Sequence, residues 1–258
     1  MHAHFVLAHP ERRSYNGHLM DLGIAALERA GWSTSVSDLY AMGFDPCERG
    51  DLYARRANPA RFDAQAEQQH ATETKTLPPV VMEELRRLDR ADLVVFQYPL
   101  WWHLPPAILK GYFDRVFAYQ EVYAGNRRFE AGRFAGKRAL LSVTVGTSEN
   151  TYRHDGRSGD IDLLLWPVNF SLVYVGFTIL KPIVAYGVEG VLRYSPAADV
   201  EARLKTFERE FEGAMTRVGE RPIIPFNRMA EWGADGRIVP GAPVYSPFIR
   251  RKKDLDLE

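Results

Sequence analysis

The sequence predicts an α/β fold, a doubly wound parallel sheet with helices on both faces, and three observations carry that prediction. The strand candidates are short, continuous apolar runs such as His4–Ala8, Ala91–Tyr98 and Arg138–Val145, the pattern of strands buried on both faces. They alternate with segments whose apolar residues recur at helical spacing. The chain also opens strand–loop–helix–strand, the start of a βαβ unit.

The first run, His4–Ala8, stops at His9-Pro10 and the polar loop Glu11–Ser14. Leu19, Leu22, Ala26 and Ala30 then lie at helical spacing, with Gly31 placed as the C-terminal cap and Trp32–Val36 as the second strand. Residues 40–76 show little periodicity; a polar stretch of that length is unusual in a compact domain and is often functional. A helix over Pro78–Arg90 leads into Ala91–Tyr98, the strongest strand pattern in the chain. Pro105-Pro106 opens the next helix, whose apolar face is Ile108, Leu109, Tyr112, Phe113 and Val116. The strand Arg138–Val145 ends in Gly146-Thr147. Residues 161–175 are apolar all round and suit a buried helix or a buried loop equally. Phe177–Tyr186 reads as a further strand, and Val200, Leu204, Phe207, Phe211, Met215 and Val218 form one helical stripe. From Ile223 prolines, glycines and aromatics crowd together. Residues 1–222 are therefore read as the domain, and 223–258 as a C-terminal appendage packing on it or on a partner subunit.

The 258 residues suffice for one full core. Lys plus Arg and Asp plus Glu number 33 each, a balance that argues against a nucleic-acid or anionic-membrane partner. The single cysteine, Cys47, excludes an internal disulfide and reads as a small loop or core residue. The apolar N-terminal run is too short for a signal peptide, and no stretch approaches the roughly 18 apolar residues of a membrane span. The expectation is a cytoplasmic protein without membrane insertion.

Ligands of an open parallel sheet bind beyond the carboxyl ends of its strands. Three such ends are informative. In the first loop, His9, Arg12, Arg13, Ser14 and Asn16 precede a helix, where free N–H groups favour a phosphate; equally, Ser14 or Asn16 caps the helix and the arginines face water. In the second, Pro99-Leu100-Trp101-Trp102-His103 carries adjacent tryptophans able to wall a flat pocket, or to pack in the core or a dimer interface. In the third, Thr144-Val145-Gly146-Thr147 precedes Tyr152 and His154. Gly-rich phosphate motifs, HExxH and CxxC are absent, so no metal site is expected.

Taken together, these loops resemble the NAD(P)H:quinone oxidoreductase (DT-diaphorase) family of flavoproteins. LAHPERRSYNGHL resembles that family's LAHxERxSFN segment, and SDLYAMGFDP its second strand and loop. ADLVVFQYPLWWHLPPAILKGYFDRVF is close to ADLVIFQFPLxWFxxPAILKGWFERVF, and LSVTVGTSENTY resembles LSITTGGSxSMY. The resemblance runs from about residue 3 to residue 190. It implies a flavodoxin-like fold, bound FAD with FMN as second choice, NAD(P)H as co-substrate, and a homodimer with active sites at the interface. By motif position it implies that His9, Ser14, Tyr15 and Asn16 contact the flavin's phosphate and ribityl region. Pro99, Leu100, Trp101, Trp102 and His103 would line the isoalloxazine, with Thr144, Val145, Gly146, Thr147 and Tyr152 at its polar edge. Tyr152 matches the catalytic tyrosine, while Trp102, Tyr123 and Tyr174 match substrate-pocket positions. The family's second catalytic position, a histidine, is Ser158, and His154 is the nearest alternative. Thr147 replaces a glycine, Gly125 a second pocket tyrosine and Arg128 a methionine, which implies a wider, more polar pocket; Asp63 matches a glutamine near the adenine.

The function these features predict is hydride transfer from NAD(P)H through bound FAD to a quinone or similar electron-poor aromatic. A single shared slot makes the kinetics ping-pong. The alternatives are an electron carrier of flavodoxin type, whose usual TxTGxT loop is absent here, and a flavin-binding regulatory subunit that uses the C-terminal extension.

Overall fold

The computed structural model describes residues 1–251. The elements follow in the order β1 (His2–Leu7), α1 (Tyr15–Arg29), β2 (Ser33–Asp38), α2 (Ala64–Glu73), α3 (Pro79–Arg90), β3 (Leu93–Pro99), α4 (Ala107–Val116), β4 (Arg138–Thr144), α5 (Ile161–Tyr174), β5 (Thr178–Ala185) and α6 (Ala197–Thr216). The five strands form one sheet in the order β2-β1-β3-β4-β5, and every pair is parallel. This is the flavodoxin-like arrangement, with its switch point between β1 and β3.

The sheet is buried on both sides. On one face Val94, Phe96 and Leu141 meet Leu85, Tyr112 and Leu172 of α3, α4 and α5. On the other, Phe5, Val95 and Leu140 meet Leu19 and Leu27 of α1 and Phe211 and Met215 of α6. All seven residues of β3 are buried, which is why its sequence is a near-continuous apolar run. Gly31, at φ +83°, turns the chain out of α1 in the left-handed conformation expected of a cap.

Two segments differ from, or sharpen, the sequence expectation. The weakly periodic stretch 40–76 contains α2, whose buried residues are Glu67, Gln68 and Ala71. It is anchored by polar contacts: Glu67 accepts from Arg56 and from the Ala57 N–H, while Gln68 bridges Asp114 O and Tyr119 N–H. The all-apolar stretch 161–175 is a helix, capped by Asp160 and covered outside by the C-terminal segment, where Phe248 stacks on Trp166 with centroids 4.9 Å apart.

Residues 221–224 run along the free side of β5. Lys181 N–H donates to Pro222 O and Ile224 N–H to Ile179 O, and the Arg221 guanidinium donates to the carbonyls of Lys181 and Pro182. Pro182 falls where the β4–β5 register shifts. Further on, Met229 N–H donates to the Glu130 carboxylate. No helix among the described residues is long and apolar enough to cross a membrane.

A polar chain crosses the core between β1, β2 and α3. His4, Ser37, Glu84 and Tyr112 are fully buried. Ser33 Oγ and Ser35 Oγ lie 2.8 and 2.9 Å from the two ring nitrogens of His2, and Ser35 Oγ lies 2.9 Å from His4 Nδ1. Ser37 Oγ lies 3.2 Å from His4 Nε2 and donates to Glu84 Oε2 at 2.7 Å. Because the Glu84 carboxylate only accepts, the hydroxyl of Ser37 must point to it, so His4 Nε2 carries the proton and Nδ1 accepts from Ser35. Burial lowers the His4 pKa from 6.5 to about 3, so the ring is neutral when folded. Since the unfolded chain binds that proton more readily, His4 contributes stability above pH 6.5 that is lost as pH falls toward 3. Glu84, whose pKa burial raises above 4.5, acts in the opposite sense from pH 4.5 upward, adding stability as pH falls through its folded value. Urea unfolding at pH 7.5, 6 and 5 should show stability declining below pH 6.5 by at most about 1.4 kcal/mol per unit. The decline should be shallower in His4→Gln; equal slopes would remove His4 as its source.

Candidate functional site

The first loop leaves β1 as Ala8 N–H donates to Gln97 O, the last rung between β1 and β3. His9 is half-buried, and its Nδ1 lies 3.0 Å from both the N–H and the carbonyl oxygen of Glu11, so the ring is held against its own loop. Its ring lies 5.8 Å from that of Trp101. Ser14 caps α1, accepting from Gly17 N–H. Among the described residues the N–H groups of Tyr15 and Asn16 have no partner, so the helix start presents two free donors. The arginines are engaged elsewhere, Arg12 with Asp21 and Arg13 with Glu11. The Tyr15 side chain turns to α6, donating to Leu204 O at 3.3 Å, and burial raises its phenol pKa. Asn16 also turns inward: its amide accepts from Gln97 Nε2 at 2.8 Å and donates to Thr144 Oγ1 at 2.9 Å. Asn16 thus spends its side chain inside the protein and leaves its backbone N–H free.

The second loop departs from buried Pro99, and Leu100 N–H donates to Thr144 O. Trp101 and Leu104 exchange both backbone hydrogen bonds across a two-residue turn, with Trp102 at φ +53° and His103 at φ +63°. Left-handed backbone at two successive non-glycine residues, one of them a tryptophan, is strained, and such strain clusters at ligand sites. The turn holds Trp102 94% exposed and Trp101 42% exposed. Tryptophan faces left in water call for a covering partner.

In the third loop Val145 is held by backbone bonds with Ala185 and Val188, and Thr147 O accepts from Gly187 N–H. The Thr147 hydroxyl is buried without a partner among the described residues. Gly146 has an ordinary φ, and a Cβ placed there would meet only Val188 O at 3.9 Å. Nothing inside the protein requires glycine at this exposed position. Tyr152 is half-buried, packs against the core, and lies 6.2 Å from the Tyr186 ring. Burial and the nearby carboxylate of Glu149 push the Tyr186 phenol up to about 12. His154 is exposed, whereas Ser158 folds back so that its N–H donates to Thr151 O at 3.0 Å. Ser158 therefore folds back onto the residue before Tyr152, and His154 faces outward. A cleft of 680 Å³ opens behind this loop, lined by Thr147, Ser148, Arg157, Tyr186 and Arg203. Tyr186 follows the end of β5, a fourth strand end that the loop motifs do not mark.

The expected pocket residues divide into two groups. Tyr123 and Tyr174 pair with ring centroids 5.7 Å apart. Tyr174 ends α5, a helix of 14 residues, or about 21 Å, running from the third loop back to the start of β5. Tyr123 lies in the connection from α4 to the start of β4. Both lie toward the amino ends of the strands, whereas Trp102 and Tyr152 lie beyond their carboxyl ends, so one chain does not bring Trp102, Tyr123 and Tyr174 together as a single wall. The sequence pattern gives residue types but not which end of the sheet each occupies. Asp63 accepts from Ala66 N–H and caps α2. Among the described residues no group of three or more His, Cys, Asp and Glu is disposed to hold a metal ion.

Comparison with known proteins gives a consistent picture. A family model for the flavodoxin-like fold matches residues 1–210. The chain is 40% identical over 185 residues to NAD(P)H dehydrogenase (quinone) 1 of Cavia porcellus, covering 71% of this chain and 67% of that protein. It is 39% identical over 186 residues to ribosyldihydronicotinamide dehydrogenase (quinone) of Mus musculus, covering 71% and 80%. A crystal structure described as a quinone reductase from Klebsiella pneumoniae superposes with a TM-score of 0.80 at 31% identity, covering 93% and 92% of the two chains.

Two substitutions separate the internal from the external duties of these loops. Asn16→Ala strands the buried amide of Gln97 and hydroxyl of Thr144, and should cost about 1–3 kcal/mol in urea unfolding. Gly146→Ala enters open space and should leave unfolding within about 0.5 kcal/mol of the parent. A large loss in Gly146→Ala would mean that the glycine serves the fold.

Proposed function

Since this chain belongs to the flavodoxin-like family, alongside the NAD(P)H dehydrogenases (quinone), we propose that it is an FAD-dependent NAD(P)H:quinone oxidoreductase working as a homodimer. The observation that carries the reading is the convergence of three strand-end loops at the switch point, bearing features with no internal explanation: free N–H groups at the start of α1, two exposed tryptophans, an unconstrained Gly146 and an unpartnered Thr147 hydroxyl.

These features fit a flavin. The N–H groups of Tyr15 and Asn16, with the helix dipole and the His9 imidazole beside them, would hold its phosphate. Trp101 and Trp102 would flank the flat ring, and the backbone at Gly146 and Thr147 would approach its polar edge. When bound, the flavin supplies two-electron chemistry, taking hydride from NAD(P)H and passing it to the acceptor. The protein's part is orientation, exclusion of water and proton control. Tyr152 donates its phenolic hydrogen to charge developing on the acceptor oxygen, a contribution realised in the transition state. Both substrates are flat and meet the same face, so one must leave before the next enters, and the order is ping-pong.

The separation of Tyr123 and Tyr174 from Tyr152 supports the dimer. If all of them wall one pocket, the two tyrosines at the far end must come from a second copy of the chain. The NADH or NADPH preference follows no spacing in the loops.

The decisive measurement is the absorbance spectrum of the purified protein, with released cofactor identified by mass. A yellow protein carrying FAD, and parallel double-reciprocal lines with NAD(P)H and a quinone, are expected; a colourless chain that takes up neither FAD nor FMN would overturn the reading. Gly146→Ala should lower flavin affinity without loss of stability. Tyr152→Phe should retain flavin but turn over quinone on the order of 10²-fold more slowly. Sedimentation should give a dimer, and a fully active monomer would remove the shared-pocket argument.

A further inference from the structure

We infer that the open cleft between the end of α5 and the C-terminal segment binds a flat aromatic anion, with Arg128 as the residue that selects negative charge. The cleft has a volume of 530 Å³, and its walls include Phe129, Phe170, Tyr174, Met229 and Trp232. Such walls favour a planar apolar body. Arg128 is the only charged residue among its lining residues, and no carboxylate faces it there. Among the described residues Arg128 makes no ion pair, whereas nearby Arg133 is paired with Asp89 and Glu121. Glu130, two residues on, is committed to the Met229 N–H at 3.1 and 3.2 Å. What Arg128 has instead is the Tyr174 ring, 5.7 Å from its guanidinium carbon, and the Tyr174 hydroxyl at 3.4 Å.

A guanidinium withdrawn among aromatic faces without a counter-ion lacks the partner that would offset its desolvation. A carboxylate or sulfonate on an aromatic ligand supplies that partner through charge-assisted hydrogen bonds while its ring meets the walls. A neutral aromatic gains only the walls, and a cationic one is repelled.

One extension rests on the function proposed above. If a second copy of the chain brings its Tyr152 to Tyr174, this cleft forms the acceptor side of the active site. The preferred acceptors are then quinones bearing a carboxylate or sulfonate.

The purified protein, with whatever cofactor it retains, is titrated calorimetrically with 2-naphthoate and with neutral 2-naphthamide. Wild type should bind the naphthoate about ten- to a hundredfold more tightly. Arg128→Met should bring the two affinities together, and Arg128→Lys should keep part of the difference. Equal affinities in wild type, or a preference that survives Arg128→Met, overturn the inference. In steady state, kcat/KM for 1,4-naphthoquinone-2-sulfonate should exceed that for 1,4-naphthoquinone by about tenfold, and the ratio should fall toward one in Arg128→Met. A naphthoate preference without that kinetic ratio overturns the extension to the acceptor and leaves an anion cleft elsewhere. If no quinone is reduced at all, the proposed function fails, while the naphthoate titration still decides the cleft.

Discussion

The buried amide of Asn16 is the constraint on which the strand-end region depends. Backbone hydrogen bonds fix β1 against β3 and β3 against β4, but the loops beyond them leave the sheet in different directions. Asn16 sits in the first turn of α1 and is 3% exposed. By accepting from Gln97 on β3 and donating to Thr144 on β4, it pins the start of the helix over the point where the strand order reverses. The free donors at that helix start are thereby held at the mouth of the switch point. The Asn16 side chain thus sets where the free backbone donors of that helix start lie.

Around that fixed centre, the three loops carry features that the folded chain does not itself use. A tryptophan is held out on left-handed backbone, a glycine has room for a side chain, and a buried hydroxyl lacks a partner. Each alone has a bland explanation. Their convergence at one end of one sheet matters, because strain and unsatisfied groups persist only where something else over-determines or uses them. The opposite end of the strands collects aromatic residues around Tyr174, beside an open cleft bordered by the C-terminal segment.

The fold was legible because buried parallel strands write themselves as near-continuous apolar runs, as in Leu93–Pro99 and Arg138–Thr144. The loops that end them followed, and the spaced motifs identified the family. The helix α2 was illegible to apolar periodicity because its inward side chains include Glu67 and Gln68, which are buried by hydrogen bonding rather than by hydrophobicity. The segment 161–175 was ambiguous because it is apolar on every side; its outer face is covered by Phe226 and Phe248, residues far along the chain. Among the site residues, Tyr152 lies in the loop that follows β4, where the spacing puts it. Spacing could not show that His154 turns outward while Ser158 folds back, nor that Tyr123 and Tyr174 lie a helix-length from Trp102. Those facts depend on turns and on helix direction, which residue identity alone does not encode.

The two margins of the sheet are protected by different means. An unpaired strand margin is a template for another chain to add to, and proteins suppress it with short strands, lysine, proline, bulges or a covering segment. The margin at β2 is only six residues, STSVSD, with no large apolar side chain besides Val36. The margin at β5 is longer and more apolar, and it carries Lys181, Pro182 and a register shift together. Even so, its outward groups from Ile179 to Pro182 are taken up by Arg221, Pro222 and Ile224. The C-terminal segment is thus more than an appendage to a pocket: it acts as a selvedge, and a chain shortened before Arg221 would expose a sticky β5 margin and tend to self-associate into aggregates.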